Sequence, residues 1–228
     1  TSSYCNLRCD NCPNSIYDLG LKENEILMDE NLLYKMIKKL KEINYRGTLG
    51  FCFFSEPLAD ERLSKFVKYA REQVPKVKIW IHSNGILLTL EKYKELIKNG
   101  VNGFTISQYS NEIAKNLPPI LEYDKKNGNY ISFRKFTDDI RENVGGEIEG
   151  NITEKPRCSY PDHPIVINSK GKVVLCCNDY HSSVVWGDLS KEKLVDIFDK
   201  KEFKSFRNNA KKRIFTFPVC KRCRGIEN

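Results

Sequence analysis

No stretch of this sequence approaches the run of about 18 apolar residues that a membrane helix requires, and no charged, apolar, small-residue leader opens it. The chain therefore reads as soluble and cytoplasmic, with no membrane partner. The strand expected to lead into the first cysteine motif is nearly absent as well, because only four residues precede Cys5, and the natural N-terminus is expected upstream. A module of basic residues interleaved with aromatics is also missing. The formal charge of +8, spread through the chain with a denser patch from Lys200 to Arg213, thus reads as solvated helix faces rather than a nucleic-acid surface. Length leaves the domain count open, since 228 residues with 40% hydrophobic content lie between one large domain and two small ones.

Cysteine, by contrast, is abundant: nine residues, at 5, 9, 12, 52, 158, 176, 177, 220 and 223, gathered towards the two ends. An odd count, close local spacing and no secretory leader argue against a disulfide framework and for metal ligation in a reducing compartment. Cys5-Asn-Leu-Arg-Cys9-Asp-Asn-Cys12 has the spacing C-x3-C-x2-C. One short loop of this kind wraps three thiolates around a cubane cluster and leaves one iron without a protein ligand. A structural zinc site takes four closed ligands, and no fourth cysteine stands near this motif. The terminal Cys220-Lys-Arg-Cys223 alone fits a zinc ribbon about equally well. Cys52, inside an apolar run, reads as a small buried hydrophobe.

Between the cysteine groups the pattern alternates. Met28 to Ile43 carries apolar residues at helical spacing with Asp29 as a cap, and Thr48 to Phe54 suits a strand buried on both faces. A helix follows over Glu61 to Glu72, a strand over Val77 to His82, a helix over Leu90 to Lys98 closed by Asn99-Gly100, and a strand from Gly103 to Ser107. Alternation of this kind predicts right-handed βαβ units, a parallel sheet and chemistry at the carboxyl ends of its strands. Glu56, Asn84 and Gln108 are expected just past such ends. Asn111 to Gly150 is less regular, with Pro118-Pro119, Gly145-Gly146 and a strand over Tyr130 to Phe133.

Beyond about residue 155 the pattern changes. Pro164 to Asn168 and Lys172 to Cys176 flank Ser169-Lys170-Gly171 as a hairpin, followed by Gly187-Asp-Leu, one helix carrying Leu194, Ile197, Phe203 and Phe206, and the closing C-x2-C. A module of roughly 70 residues has a thin core, to which a metal site adds stability. Cys177 adjoins Cys176, and either is available as a ligand. If the hairpin strand alternates, Cys177 faces the other way, a candidate contact to substrate.

On these motifs the chain resembles the radical S-adenosylmethionine (SAM) superfamily. The triple-cysteine motif followed by Pro13-Asn14-Ser15, Ser55-Glu56-Pro57 after the second strand, like the family's glycine-glycine-glutamate-proline element, and Ser83-Asn84-Gly85, like its ribose-side turn, carry the likeness. The resemblance implies an α/β fold, a partial parallel (β/α) barrel over residues 1–150 with a truncated start, and a small C-terminal auxiliary iron–sulfur domain of the twitch or SPASM type over 151–228. It implies a catalytic [4Fe–4S] cluster on Cys5, Cys9 and Cys12 and a second [4Fe–4S] cluster on Cys158, Cys176, Cys220 and Cys223. S-adenosylmethionine is then expected against Asn11, Ser55, Glu56, Pro57, Ser83, Asn84 and Gln108.

Phe54-Ser-Glu-Pro-Leu58, the strand end at Gln108 and the helix with Phe203-Lys-Ser-Phe-Arg207 resemble an alcohol-oxidising dehydrogenase branch of the superfamily. That likeness implies an oxidoreductase converting an alcohol of a small amino-polyol or sugar to a ketone. An external donor such as flavodoxin or ferredoxin is expected to supply electrons. Two positions depart from the branch: Val144 stands before Gly145-Gly146 where an arginine is usual, and Asn11 replaces an aromatic. Arg141, close to the missing arginine, is a candidate substrate contact, with a solvated loop charge as its alternative. Rival readings are a peptide maturase or epimerase of the same superfamily, and a non-catalytic, zinc-stabilised binding module.

Overall fold

The structure, a computed structural model, describes residues 1–10, 12–109, 112–135, 143–148, 158 and 165–226. The chain divides into two compact units, Thr1–Leu7 with Leu19–Thr137, and Arg8–Asp18 with Asp138–Asn228.

The first unit is a parallel sheet of strands alternating with helices. Its elements are α1 (Glu30–Glu42), β1 (Thr48–Phe51), α2 (Leu63–Gln73), β2 (Lys78–Ser83), α3 (Leu90–Lys98), β3 (Gly103–Gln108), α4 (Leu117–Asn127) and β4 (Ile131–Lys135). The strands pair in the order β1-β2-β3-β4, with Phe51 opposite Ile81, Ser83 opposite Ile106 and Gln108 opposite Lys135. Local chemistry sets the helix starts: Asp29 accepts a hydrogen bond from the Leu32 amide at 2.8 Å, and Thr89 from that of Lys92 at 3.1 Å. Ile79, Ile81, Phe104 and Ile106 are fully buried, whereas Trp80, His82 and Thr105 between them are half-buried or exposed. Burying each of those four side chains contributes about 1.5–3 kcal/mol.

Several expectations need correction. β1 lies at the sheet edge with Thr48 and Gly50 exposed, so it is not buried on both faces, and Cys52 just after it is exposed rather than buried. Gln108 is the last residue of β3 and not a residue beyond it. Pro118-Pro119 opens α4 instead of marking irregular chain; first-turn prolines are tolerated because the amides they lack have no partner inside the helix. Buried Asp124 on α4 then accepts from the Tyr93 hydroxyl at 2.6 Å and from the Tyr130 and Ile131 amides at 2.7 and 3.1 Å, joining α3, α4 and β4 through one carboxylate.

In the second unit, β5 (Val166–Ile167), β6 (Lys172–Val174) and β7 (Val185–Asp188) form an antiparallel sheet. The expected hairpin is present in β5 and β6, Gly171 adopting φ +73° at its turn. Gly187-Asp188 belongs to a third strand. The expected single helix is two, α5 (Leu194–Asp199) and α6 (Lys201–Lys211), because Lys200 is extended at ψ 131° while its ammonium bonds the Trp186 carbonyl at 2.8 Å. The cysteine pair at the end sits on α7 (Pro218–Cys223). Trp186 packs on Phe203, Phe206 and Phe217 with ring centres 5.2, 5.4 and 5.8 Å away, and Val173, Leu175, Ile197 and Ala210 complete this core.

Candidate active site

In the first unit the carboxyl ends of β1 and β2 are tied by Glu56. Its side chain, in a residue only 2% exposed, accepts from the Ser83 hydroxyl at 2.7 Å, the Asn84 amide at 2.8 Å and the Leu58 amide at 3.0 Å. Burial pushes the carboxyl above its ordinary value, and those three donors oppose the shift by favouring the ionised form. Gly85, at φ +76°, closes the turn by donating its amide to the Ser83 hydroxyl at 2.9 Å. A Cβ at Gly85 would lie 2.9 Å from Ile106 and 3.0 Å from Leu117, so glycine is required for space and conformation alike.

Two residues that sequence reasoning missed bring the start of the chain to this turn. Tyr4 accepts the Glu56 amide on its carbonyl at 2.9 Å, and Asn6 accepts from the Asn84 side-chain amide at 2.8 Å. They flank Cys5, whose own amide donates to the Gly20 carbonyl at 3.1 Å. Nothing in the local sequence marks them, because their partners are about 50 and 80 positions away. Ser55 and Gln108 are half-buried and Pro57 is buried. The structure thus brings Glu56, Ser83 and Asn84 together beside Cys5. Asn11 and Arg141 lie outside the described residues.

Cys9 and Cys12 belong to the second unit. The Cys12 amide donates to the Cys9 carbonyl at 2.9 Å, and Pro13 then opens a single 3-10 turn whose Ser15 amide and hydroxyl both return to the Cys12 carbonyl, at 2.9 and 2.7 Å. Burial raises the Cys12 thiol, against which the Asn14 amide and the Arg8 charge favour the thiolate.

Cys158, Cys176, Cys220 and Cys223 all lie in the second unit and their charges couple, although among the described residues no group of three or more His, Cys, Asp or Glu side chains is placed to hold a metal ion. Burial comes first in raising both Cys176 and Cys220. Charge on Cys177, Cys220 and Cys223 adds to the first, while charge on Cys158 and Cys223 adds to the second, which is pushed up to about 12. Four thiols in one unit are the donor set of an iron–sulfur centre, whose cations would relieve the repulsion between their ionised forms. Cys176 and Cys220 pack against the aromatic core. Cys177 donates to the Asn178 side-chain carbonyl at 3.7 Å. β6 ends at Val174, so strand alternation does not decide between Cys176 and Cys177. The turn carrying them is fixed by Asp179, 1% exposed, which accepts from Ser183 and Val184 amides at 2.8 and 3.0 Å.

Comparison with known proteins agrees with this arrangement. The profile of the Radical SAM superfamily matches residues 1–141, and that of SPASM, an iron-sulfur cluster-binding domain, matches residues 158–224. The chain is 25% identical over 230 residues to the S-adenosyl-L-methionine-dependent 2-deoxy-scyllo-inosamine dehydrogenase of Niallia circulans, covering 99% of this chain and 90% of that protein. Among solved structures it is similar to BtrN in complex with AdoMet and 2-DOIA, with a TM-score of 0.82 and 28% identity over 92% of this chain and 84% of that one. The anSMEcpe protein with bound AdoMet and Cp18Cys peptide shares the fold, with a TM-score of 0.59 and 15% identity over 98% of this chain and 85% of that one. Among the described residues no helix is long and apolar enough to cross a membrane. The two profiles together imply iron–sulfur clusters and S-adenosylmethionine as the cofactors, and with its superfamily profile covering more than half the sequence this chain belongs to the radical SAM superfamily.

Proposed function

We propose that this enzyme oxidises an alcohol of a small polar substrate, an amino-polyol or sugar, to a ketone. The observation that carries the reading is the alignment with the 2-deoxy-scyllo-inosamine dehydrogenase, which takes in 99% of the chain and hence both cysteine groups. Cys5, Cys9 and Cys12 are assigned to the catalytic cluster, and Cys158, Cys176, Cys220 and Cys223 to the auxiliary one, with the division between barrel and auxiliary domain near residue 150. When bound, the first cluster supplies the electron that cleaves S-adenosylmethionine to a 5′-deoxyadenosyl radical, and the second takes the electron released as the substrate carbon is oxidised.

The chain's own task is to bind and to orient. Asn11, Ser55, Glu56, Pro57, Ser83, Asn84 and Gln108 are assigned to S-adenosylmethionine. Glu56 does so through backbone, because its carboxylate is engaged by Ser83, Asn84 and Leu58 and holds the two strand-end turns in place. Cys176 is the assigned ligand rather than Cys177, on its packing against the core and the closeness of Cys220 and Cys223. Thiolate ligands of this kind persist in a reducing compartment, which supports the cytoplasm, with flavodoxin or ferredoxin as donor.

The test is iron and sulfide analysis with Mössbauer spectroscopy after anaerobic reconstitution, comparing wild type with the Cys5→Ala/Cys9→Ala/Cys12→Ala variant and with Cys176→Ser and Cys177→Ser. About eight irons in wild type and in Cys177→Ser, about four in the others, and reductive cleavage of S-adenosylmethionine lost in the triple variant are expected. Incubation with 2-deoxy-scyllo-inosamine and related polyols deuterated at the alcohol carbon should move deuterium into 5′-deoxyadenosine. Zinc in place of iron, or no cleavage by wild type, overturns the assignment.

A further inference from the structure

The loop that carries Cys9 and Cys12 groups with the second unit, and a buried hydrogen bond is among the contacts that join it there. The Tyr180 hydroxyl donates to the Asn14 side-chain oxygen at 2.7 Å across 166 positions, in residues 4% and 3% exposed. Each end leads directly to a cysteine. The Asn14 amide bonds the Cys12 sulfur, and Tyr180 stands on the Asp179-fixed turn three residues after Cys177.

A second set of contacts runs beside it. The Tyr17 ring packs at a tilt on Tyr180 and edge-to-face with His181, with centres 5.5 and 4.6 Å away, and its hydroxyl donates to Glu147 at 2.9 Å. Glu147 also meets His181 at 3.2 Å and Arg222 at 3.2 Å, and Arg222 directly precedes Cys223. The Asn143 side chain donates to the Arg222 carbonyl at 3.0 Å, anchoring the same end of α7.

We propose that Tyr180 is a positioning residue for the catalytic cluster: through Asn14 it fixes the Cys9–Cys12 loop to the turn that bears the auxiliary cysteines. The two cysteine groups are thereby mechanically linked, and the geometry of the first depends on a side chain from the second. This inference rests on the assignment of Cys9 and Cys12 to the first cluster. It goes beyond that assignment by giving a role to a tyrosine that the proposed reaction does not itself use.

A double-mutant cycle on the reconstituted full chain tests it, with Tyr180→Phe, Asn14→Leu and the pair together. The readouts are the change in the reduced first cluster's EPR signal on adding S-adenosylmethionine, and the rate at which a chelator removes that cluster's iron. Each single variant should alter the EPR response and release first-cluster iron about tenfold faster, the factor expected for one buried hydrogen bond. The auxiliary cluster should keep its Mössbauer signature, and the double variant should be no worse than the poorer single one. Additive singles, an unchanged EPR response, or loss of both clusters together in Tyr180→Phe overturn the proposal. A wild type that binds no first cluster overturns the underlying assignment instead, so the two failures are distinguishable.

Discussion

Glu56→Gln is the substitution that most directly tests how the strand-end turns are held. The carboxylate offers one oxygen to both Ser83 and Leu58 and the other to the Asn84 amide. A glutamine keeps one oxygen and puts an NH2 group in place of the other. With the NH2 towards Asn84, two donors face each other; with it towards Leu58, the same conflict arises there, although the Ser83 hydroxyl can turn to accept. Either way one buried backbone amide loses its acceptor, which costs about 1–3 kcal/mol. Because burial raises the Glu56 carboxyl, removing its charge returns part of that, and we expect a net loss of about 1 kcal/mol. Of the two tryptophans, Trp80 lies in the first unit and Trp186 in the second, so urea unfolding followed by fluorescence in a Trp186→Phe background reports the unit that contains Glu56. Affinity for S-adenosylmethionine should fall in parallel, since the Ser83-Asn84-Gly85 turn is no longer fixed. A variant that unfolds within about 0.5 kcal/mol of the parent and binds S-adenosylmethionine equally well would show that the carboxylate does not hold the turns, and the reasoning fails.

Gly85→Ala should cost about 1–3 kcal/mol, from a left-handed φ and a Cβ within 3.0 Å of Ile106 and Leu117; thermal unfolding measures it, and an unchanged midpoint refutes it. Asp124→Asn should lower stability by about 2 kcal/mol, because one of the Tyr93, Tyr130 and Ile131 donors meets an NH2 group, and urea unfolding checks it. Burial raises the Asp60 carboxyl, but its bonds with Arg62 at 2.9 Å outweigh this and leave it below the ordinary carboxylate range. Its stabilisation is therefore present above the unfolded value near about 3.9 and is lost as pH falls through the lower folded value. The stability gap between wild type and Asp60→Asn should narrow as pH is taken below about 4, and a gap that stays constant refutes the linkage.

The parts of this fold that were legible in the sequence are those set by local rules. α1, α2 and α3 follow a 3.6-residue apolar period, and Asp29 before α1 and Asn99 after α3 mark helix ends, whereas α2 has no side-chain cap and was legible from its period alone. The cysteine spacings were legible because they are contiguous in the sequence. What depends on position in space was not. An apolar run such as Thr48 to Phe54 does not say whether its strand is central or at an edge. Phe198 to Phe203 does not show that Lys200 turns out of the helix to reach Trp186. The pair of prolines at 118 and 119 looks like a break until Leu117 is seen to begin the helix.

The same distinction applies at the site and has a consequence for which mutations matter. Ser55 to Pro57 and Ser83 to Gly85 are recognisable as turns, but Tyr4 and Asn6, which join those turns to the residues around Cys5, make bonds to partners far away in sequence. Within the first unit the neighbours of Cys5 are bonded to the strand-end turns, and within the second unit Asn14, beside Cys12, is bonded to Tyr180. The spacing C-x3-C-x2-C specifies that three thiolates are available; these flanking bonds specify where they are held. Sensitivity to substitution should accordingly extend beyond the cysteines to Asn6, Asn14 and Tyr180, none of which carries a chemical group that the reaction consumes.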